Sequence, residues 1–380
     1  MTTTRRAEIA GGGFGGLAAA VALLQRGWCV RVHERMPLPR AEGYGIAIHE
    51  NGLRVLAALG VRDRVLASGL RIARLVSRDA ADHTVADLPV RGSTYRLSRQ
   101  AIVLALVDRL TELGGEFVTN STVTSVTPDG SIETERGLRA QANLIVLADG
   151  IGSRLRDALP ARASRRLLID GALRLVVPRL PDEVAPGMAN AAAVVEYWSG
   201  TRRLIYSPCG ADEAYLALTC LHSDATGRAI PLDVPSWQSA FPHLAPLFDL
   251  IAVHADWERV FWQRFEIIRL KSWSAGCVAL VGDAAHAMPP NLGQGAGCAM
   301  MNALGMAVAL DESADVPVAL GAWERRERPL TEHVQKWSGL YGRSTAWPQW
   351  LRSAFFAALG RSRWMKSQMD RAVQHIPTGT

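Results

Sequence analysis

The chain has 380 residues, 48% hydrophobic and 21% charged, with a formal net charge of +6. That balance fits a globular enzyme with room for two domains, or for one large domain carrying an insertion. No apolar run reaches the ~18 residues needed to span a bilayer, which points to a cytoplasmic protein, and five cysteines without C-x-x-C spacing offer neither a disulfide framework nor a zinc site.

Residues 6–10 read as a strand. Gly11, Gly13 and Gly16 follow at G-x-G-x-x-G spacing, and 14–25 reads as an apolar helix opened by Phe14 and stopped by Gly27. Residues 28–33 form the next strand, and Glu34 ends it. This is the βαβ setting of a dinucleotide site. Gly11 allows the tight turn, Gly13 lets the backbone approach a pyrophosphate, and Gly16 lets the helix pack close to the strand. The helix N-terminus then faces the phosphates. Glu34 suits ribose hydroxyls and disfavours a 2′-phosphate.

Farther along, Asn51 reads as the N-cap of a helix over 52–59. Strands are expected within 75–97, a helix over 100–113, and a hairpin-type excursion over 117–126 and 131–140. Residues 143–148 form a continuous apolar run, as in a buried parallel strand. Short strands at 173–177, 193–197, 203–206 and 214–219 mark a β-rich insertion. The buried type returns at 278–281. Helices follow from Val318, with Pro329 near the start of one. Trp337, Trp347, Trp350 and Trp364 read as packing residues. Cys29 and Cys277 read as small buried thiols. Basic clusters at 162–166 and 325–328 carry no nucleic-acid motif and read as solvated faces.

Two further segments point to the same cofactor. Asp149-Gly150 follows the 143–148 strand, with Ser153 and Arg156 as supports for that loop. Gly282-Asp283 follows the 278–281 strand, where a carboxylate can take hydrogen bonds from a ribityl chain. Pro289 and Pro290 hold the next segment extended. Gly293 and Gly295 open a helix near Ala296, whose N-terminal N–H groups suit the electron-rich edge of a reduced flavin. His286 reads as a residue that orients the loop. Together the segments indicate FAD.

These motifs, in this order, resemble the single-component (class A) flavin-dependent aromatic monooxygenases of the para-hydroxybenzoate hydroxylase type. Segments 5–8, 51–56, 203–209 and 294–300 resemble the branch typified by 2-methyl-3-hydroxypyridine-5-carboxylate oxygenase. The resemblance implies an α/β (α+β) fold: a Rossmann-like FAD-binding domain, an inserted β-sheet substrate domain and C-terminal helices. The expected division gives 1–74, 99–166 and 272–330 to the FAD domain. Residues 75–98 and 167–271 form the substrate sheet, and 331–380 the terminal helices. It implies Arg203 and Tyr215 as substrate-pocket residues, Pro289 and Pro290 lining the oxygen site, and Arg40 and Arg99 as cofactor contacts, with Arg35 beside them. It also implies NAD(P)H as a transient co-substrate and a flavin C4a-hydroperoxide as the oxygen donor to a small aromatic or heteroaromatic ring, such as a hydroxypyridine carboxylate. Leu75 replaces a pocket tyrosine of that branch, Gly297 stands where the family often has Asn, and 46–50 departs as well. A larger natural-product or antibiotic substrate, and a flavin oxidase or dehydrogenase without oxygen insertion, stay open. No nucleic-acid or membrane partner is expected, and a homodimer is compatible with the sequence.

Overall fold

The computed structural model describes residues 5–39, 45–160, 162–180, 192–209 and 212–380. Its framework is a six-stranded sheet in the order Ser274–Ala275, Val278–Leu280, Leu144–Leu147, Arg6–Ala10, Cys29–His33, Glu116–Val118. Every neighbouring pair is parallel except the first. Leu144–Leu147 is buried throughout, because parallel strands are covered on both faces. The helix Phe14–Leu24 covers one face, with residues 15–23 all buried, and packs on the helix Gly295–Glu312. Ala10 lies opposite His33 on one side and Leu147 on the other, and Leu147 lies opposite Leu280. Four strands therefore end at one edge, where ligands of open parallel sheets bind.

A second sheet has seven strands in the order Gln263–Leu270, Ala163–Pro178, Glu213–Leu221, Arg202–Pro208, Ala193–Ser199, Arg74–Arg78, Thr84–Pro89. Its side chains alternate. Leu173, Leu175, Leu204, Tyr206, Leu216 and Leu218 form one face and are sealed by Trp237, Phe241, Phe248 and Ile251. The other face turns toward the parallel sheet's ligand edge. A small three-stranded sheet, Ile46–His49, Thr94–Leu97 and Leu70–Arg71, joins the two regions.

Several local expectations change. Asn51 does not cap a helix: the helix is Glu50–Ala58 with His49 as N-cap, and the Asn51 side chain instead donates to Gln294 at 2.9 Å. The excursion has three strands, Val123–Val126, Ser131–Thr134 and Arg139–Gln141, while Phe117 joins the edge of the parallel sheet. Pro329 lies inside one long helix, Val316–Arg343. Buried Trp323, Glu327, Thr331 and Val334 flank it, and their packing outweighs a proline penalty of ~3 kcal/mol. Cys29 is exposed at a strand start, whereas Cys220 and Cys298 are buried. The basic clusters are laced by local pairs such as Arg165–Glu266 and Arg328–Glu324. No helix among the described residues is long and apolar enough to cross a membrane.

Candidate functional site

The four strand ends bring the glycine motifs together. Gly11 has φ +106°, and a Cβ there would lie 2.4 Å from the Ala148 carbonyl oxygen. At Gly16 a Cβ would lie 2.1 Å from the Gly11 carbonyl oxygen. These contacts lock the first turn and helix against the strand Leu144–Leu147. Gly13 differs, since a Cβ there would meet nothing within 4 Å. It is the N-cap of Phe14–Leu24, with no side chain capping the first N–H groups. An open backbone at an uncapped helix start is a cradle for an anion.

Glu34 lies at the second strand end and is 9% exposed. Its Oε2 accepts from the Gly12 N–H at 2.8 Å and its Oε1 from the Met36 N–H at 2.9 Å. The carboxylate holds the glycine turn and still has lone pairs for ribose hydroxyls. Asp149 follows the third strand, and its Oδ1 is buried without a hydrogen-bond partner. Burial pushes its carboxyl above the ordinary carboxylate range, opposed by Ser153 and by the charges of Arg156 and Arg35. Ser153 caps the short helix Arg154–Asp157. Arg156 reaches the Ala284 carbonyl at 3.2 Å and ties this loop to the fourth strand end.

There, Gly282 has φ +63° and precedes Asp283. The Asp283 side chain reaches solvent, yet protein atoms crowd around it. Burial in that recess raises its pKa, and the Arg99 charge opposes the rise. The Arg99 guanidinium also lies 5.1 Å from the Phe14 ring centroid. Behind Asp283, His286 is buried, and burial pushes its pKa down to about 4. Its Nε2 accepts from Asn302 Nδ2 at 2.9 Å, so the neutral ring orients the loop. Gly293 has φ +62°, and its Cβ position would lie 3.1 Å from His49 Nε2. Gly295 starts the 18-residue helix Gly295–Glu312, continued by Ala296, with no acid in its first turn and no side-chain cap. The orphaned Asp149 oxygen, the open backbone at Gly13 and Gly295, and the recessed Asp283 all fit an extended FAD. Arg40 lies outside the described residues.

On the substrate side, the strand register puts Leu75, Val194, Ile205, Ser207, Tyr215 and Val176 on the face of the seven-stranded sheet that turns toward this edge. Leu75 is 46% exposed, and Val176, Val194, Ile205 and Tyr215 are half-buried. Arg203 shares the face but is only 1% exposed. Its Nη1 lies 3.3 Å from Glu196, its Nη2 donates to Asn291 at 2.8 Å, and it stacks over Trp198. Asn291 in turn donates to the Ser338 carbonyl, while Ser338 Oγ donates to the Pro289 carbonyl. The long helix thus clamps the segment that carries buried Pro289 and exposed Pro290.

Sequence reasoning missed Arg96 and His49. Arg96 is 7% exposed; its Nε donates to Ser207 at 3.0 Å, and its guanidinium lies 5.2 Å from the Tyr215 ring centroid. Nothing in the sequence neighbourhood marks Arg96, whereas His49 falls in the 46–50 segment that departs from the family and is expected near the flavin ring. Only strand pairing shows that the two share a face with Ala47 and Thr94.

The sequence matches the FAD binding domain family over residues 4–333. It is 43% identical to a Rhodococcus erythropolis protein whose name assigns it to the 2-heptyl-3-hydroxy-4(1H)-quinolone synthases, over 98% of this chain and 97% of that one. It is 39% identical to the 2-heptyl-3-hydroxy-4(1H)-quinolone synthase of Mycobacteroides abscessus, over 94% of this chain and 95% of that one. Among solved structures, the tetrameric form of 2-methyl-3-hydroxypyridine-5-carboxylic acid oxygenase aligns with a TM-score of 0.87 at 37% identity, covering 99% of this chain and 97% of that one.

Proposed function

We propose, starting from the fact that this chain belongs to the FAD binding domain family and is an FAD-dependent aromatic monooxygenase, that it hydroxylates a 2-alkyl-4(1H)-quinolone at C3. The observation that carries this reading is the apolar cluster on the substrate-facing sheet, where Leu75, at 46% exposure, lies opposite Val194, with Ile205 one strand farther on and Ser77 and Glu196 as polar neighbours. An alkyl chain gains by covering such a surface, at ~25 cal/mol per Å² of apolar area. A hydroxypyridine carboxylate, the substrate class suggested by sequence, has no alkyl chain to cover these side chains. It would also meet an arginine, Arg203, that Glu196 already neutralises. The two quinolone synthase relatives support the same substrate class.

Bound FAD, reduced by NAD(P)H, supplies the activated oxygen. The chain's own residues do the rest. Gly13 and the start of Phe14–Leu24 would hold the pyrophosphate, Glu34 the ribose, Asp283 the ribityl hydroxyls, and the N-terminus of Gly295–Glu312 the polar edge of the flavin ring. Tyr215, half-buried on that face, would offer its phenol to a ring heteroatom. Arg203 acts at one remove, since its bond to Asn291 fixes the Pro289–Pro290 segment and helps to keep the reacting space shaped and dry. C3 of a 4-quinolone is the nucleophilic carbon of an enaminone, which suits electrophilic oxygen.

The test is NADH and NADPH oxidation by the FAD-loaded protein with 2-heptyl-4(1H)-quinolone, 5-hydroxynicotinate and 3-hydroxybenzoate, each product taken to mass spectrometry. The quinolone should stimulate turnover and gain one oxygen. Oxygenation of the pyridine or benzoate alone, with the quinolone inert, would refute the quinolone reading.

A further inference from the structure

Four arginines are buried among the described residues: Arg96, Arg156, Arg203 and Arg352. Arg156 is paired with Asp157 and Arg203 with Glu196. Arg352 donates to the carbonyls of Gly200, Ser344 and Trp347 and feels the charge of Glu196. Arg96 stands apart. Its Nε donates to Ser207 Oγ at 3.0 Å and its Nη1 to the Gly45 carbonyl at 3.4 Å. Among the described residues no carboxylate lies within ion-pair distance of it, and none accepts a hydrogen bond from its Nη2. A guanidinium carries five N–H donors in a planar fork, so these two bonds leave the outer side of the fork to spare.

The position of that fork is set by the fold. Arg96 is on the central strand of the three-stranded sheet, paired to Ala47 on one side and Leu70 on the other. On the Ala47 side, Ala47 and His49 touch the place where a Gly293 Cβ would stand. On the far side, the guanidinium lies over the Tyr215 ring. Arg96 therefore occupies the seam between the loop that opens the Gly295–Glu312 helix and the apolar substrate face. Its charged neighbours are few. Burial and the Arg96 charge push the pKa of His49 down to about 4, so that ring is neutral at pH 7. Burial also pulls the Arg96 pKa down, with Tyr215 and Cys209 acting the other way. Among the described residues its acceptors are two neutral oxygens, and a buried cation so held is costly unless a ligand supplies negative charge.

We propose that Arg96 binds the ring oxygen of the substrate and so determines specificity. Resting on the quinolone reading, that oxygen is the C4 oxygen, which carries negative charge in the ionised ring. A bidentate guanidinium would favour this charged form, in which C3 is more electron-rich, and would fix the ring relative to the flavin edge.

The test uses the FAD-loaded full chain as wild type, Arg96→Gln and Arg96→Lys. Each is titrated with 2-heptyl-4(1H)-quinolone and with 2-heptylquinoline, which lacks the C4 oxygen, by the change in flavin absorbance. Wild type should prefer the oxygenated ligand by roughly 10- to 100-fold. Arg96→Gln should bring the ratio near unity, with FAD content and melting temperature retained, and Arg96→Lys should fall between; if the glutamine variant does not fold, the lysine variant decides by its reduced ratio. An unchanged ratio overturns the proposal, as does loss of FAD affinity with the ratio intact, which would assign Arg96 to the cofactor. If wild type binds neither quinoline, the quinolone reading fails, and Arg96 is judged on 5-hydroxynicotinate against nicotinate. Collapse of that ratio supports the ring-oxygen role, while equal weakening of both shows that Arg96 holds the carboxylate and overturns it. Binding of none of the four compounds overturns both.

Discussion

At the ligand edge of the parallel sheet, many of the groups that face the site are backbone. Gly11 and Gly16 fix the turn by contacts that no Cβ could share, and the starts of two long helices present uncapped N–H groups. On the seven-stranded sheet the facing groups are side chains: Leu75, Tyr215 and Arg203, with Arg96 reaching in from the small sheet. A dinucleotide is the same molecule in every relative, so a backbone cradle serves it. A substrate varies, and side chains can be exchanged without disturbing the strands that carry them. The two regions should therefore separate under mutation, with cradle variants moving FAD and sheet variants moving substrate.

Gly16→Val should have the largest effect. Its Cβ would sit 2.1 Å from the Gly11 carbonyl, an overlap worth on the order of 3 kcal/mol, or ~100-fold in FAD affinity. FAD content after gel filtration reads this directly, and full retention would break the account of the cradle. Next, Glu34→Ala leaves the Gly12 and Met36 N–H groups without their acceptor. The expected loss is about 1–3 kcal/mol, seen as a raised FAD Kd with little change in substrate KM once FAD is saturating.

His286 sharpens the comparison through pH. Its ordinary pKa is 6.5 and burial lowers it to about 4 in the folded chain. The unfolded chain therefore takes up the proton first. Stability that is full above pH 6.5 is lost as pH falls toward 4, by about 2 kcal/mol at pH 5. His286→Gln should flatten that part of the melting-temperature profile between pH 7 and 5, and an unchanged slope would show that the ring does not titrate as a buried group. The smallest effect belongs to the sheet. Leu75→Tyr should raise the KM for an alkylquinolone by roughly fivefold, about 1 kcal/mol, with FAD content unaltered.

The same contrast explains what could be read from sequence. Gly11, Gly13 and Gly16 are neighbours in the chain, so their spacing encodes local geometry. The runs at 143–148 and 278–281 are apolar because parallel strands are buried on both faces. Long-range features were not legible. Asn51 has the look of an N-cap, but its partner is Gln294, far along the chain. Pro329 suggested a helix start, yet the packing of Trp323 and Val334 on either side carries the helix through it. Arg203 reads as a substrate anchor from sequence, and its pairing with Glu196 and Asn291 on other elements has no local signal. Arg96 gave no signal at all, because its meaning comes from residues 47, 207 and 215 on other strands.

The most direct test of the substrate-side account is a competition on the FAD-loaded wild-type protein. 2-heptyl-4(1H)-quinolone and 5-hydroxynicotinate are supplied together with NAD(P)H, and the ratio of oxygenated products gives the ratio of their kcat/KM values. The apolar sheet face predicts a preference of at least about tenfold for the quinolone. A preference of similar size for the pyridine carboxylate would contradict it.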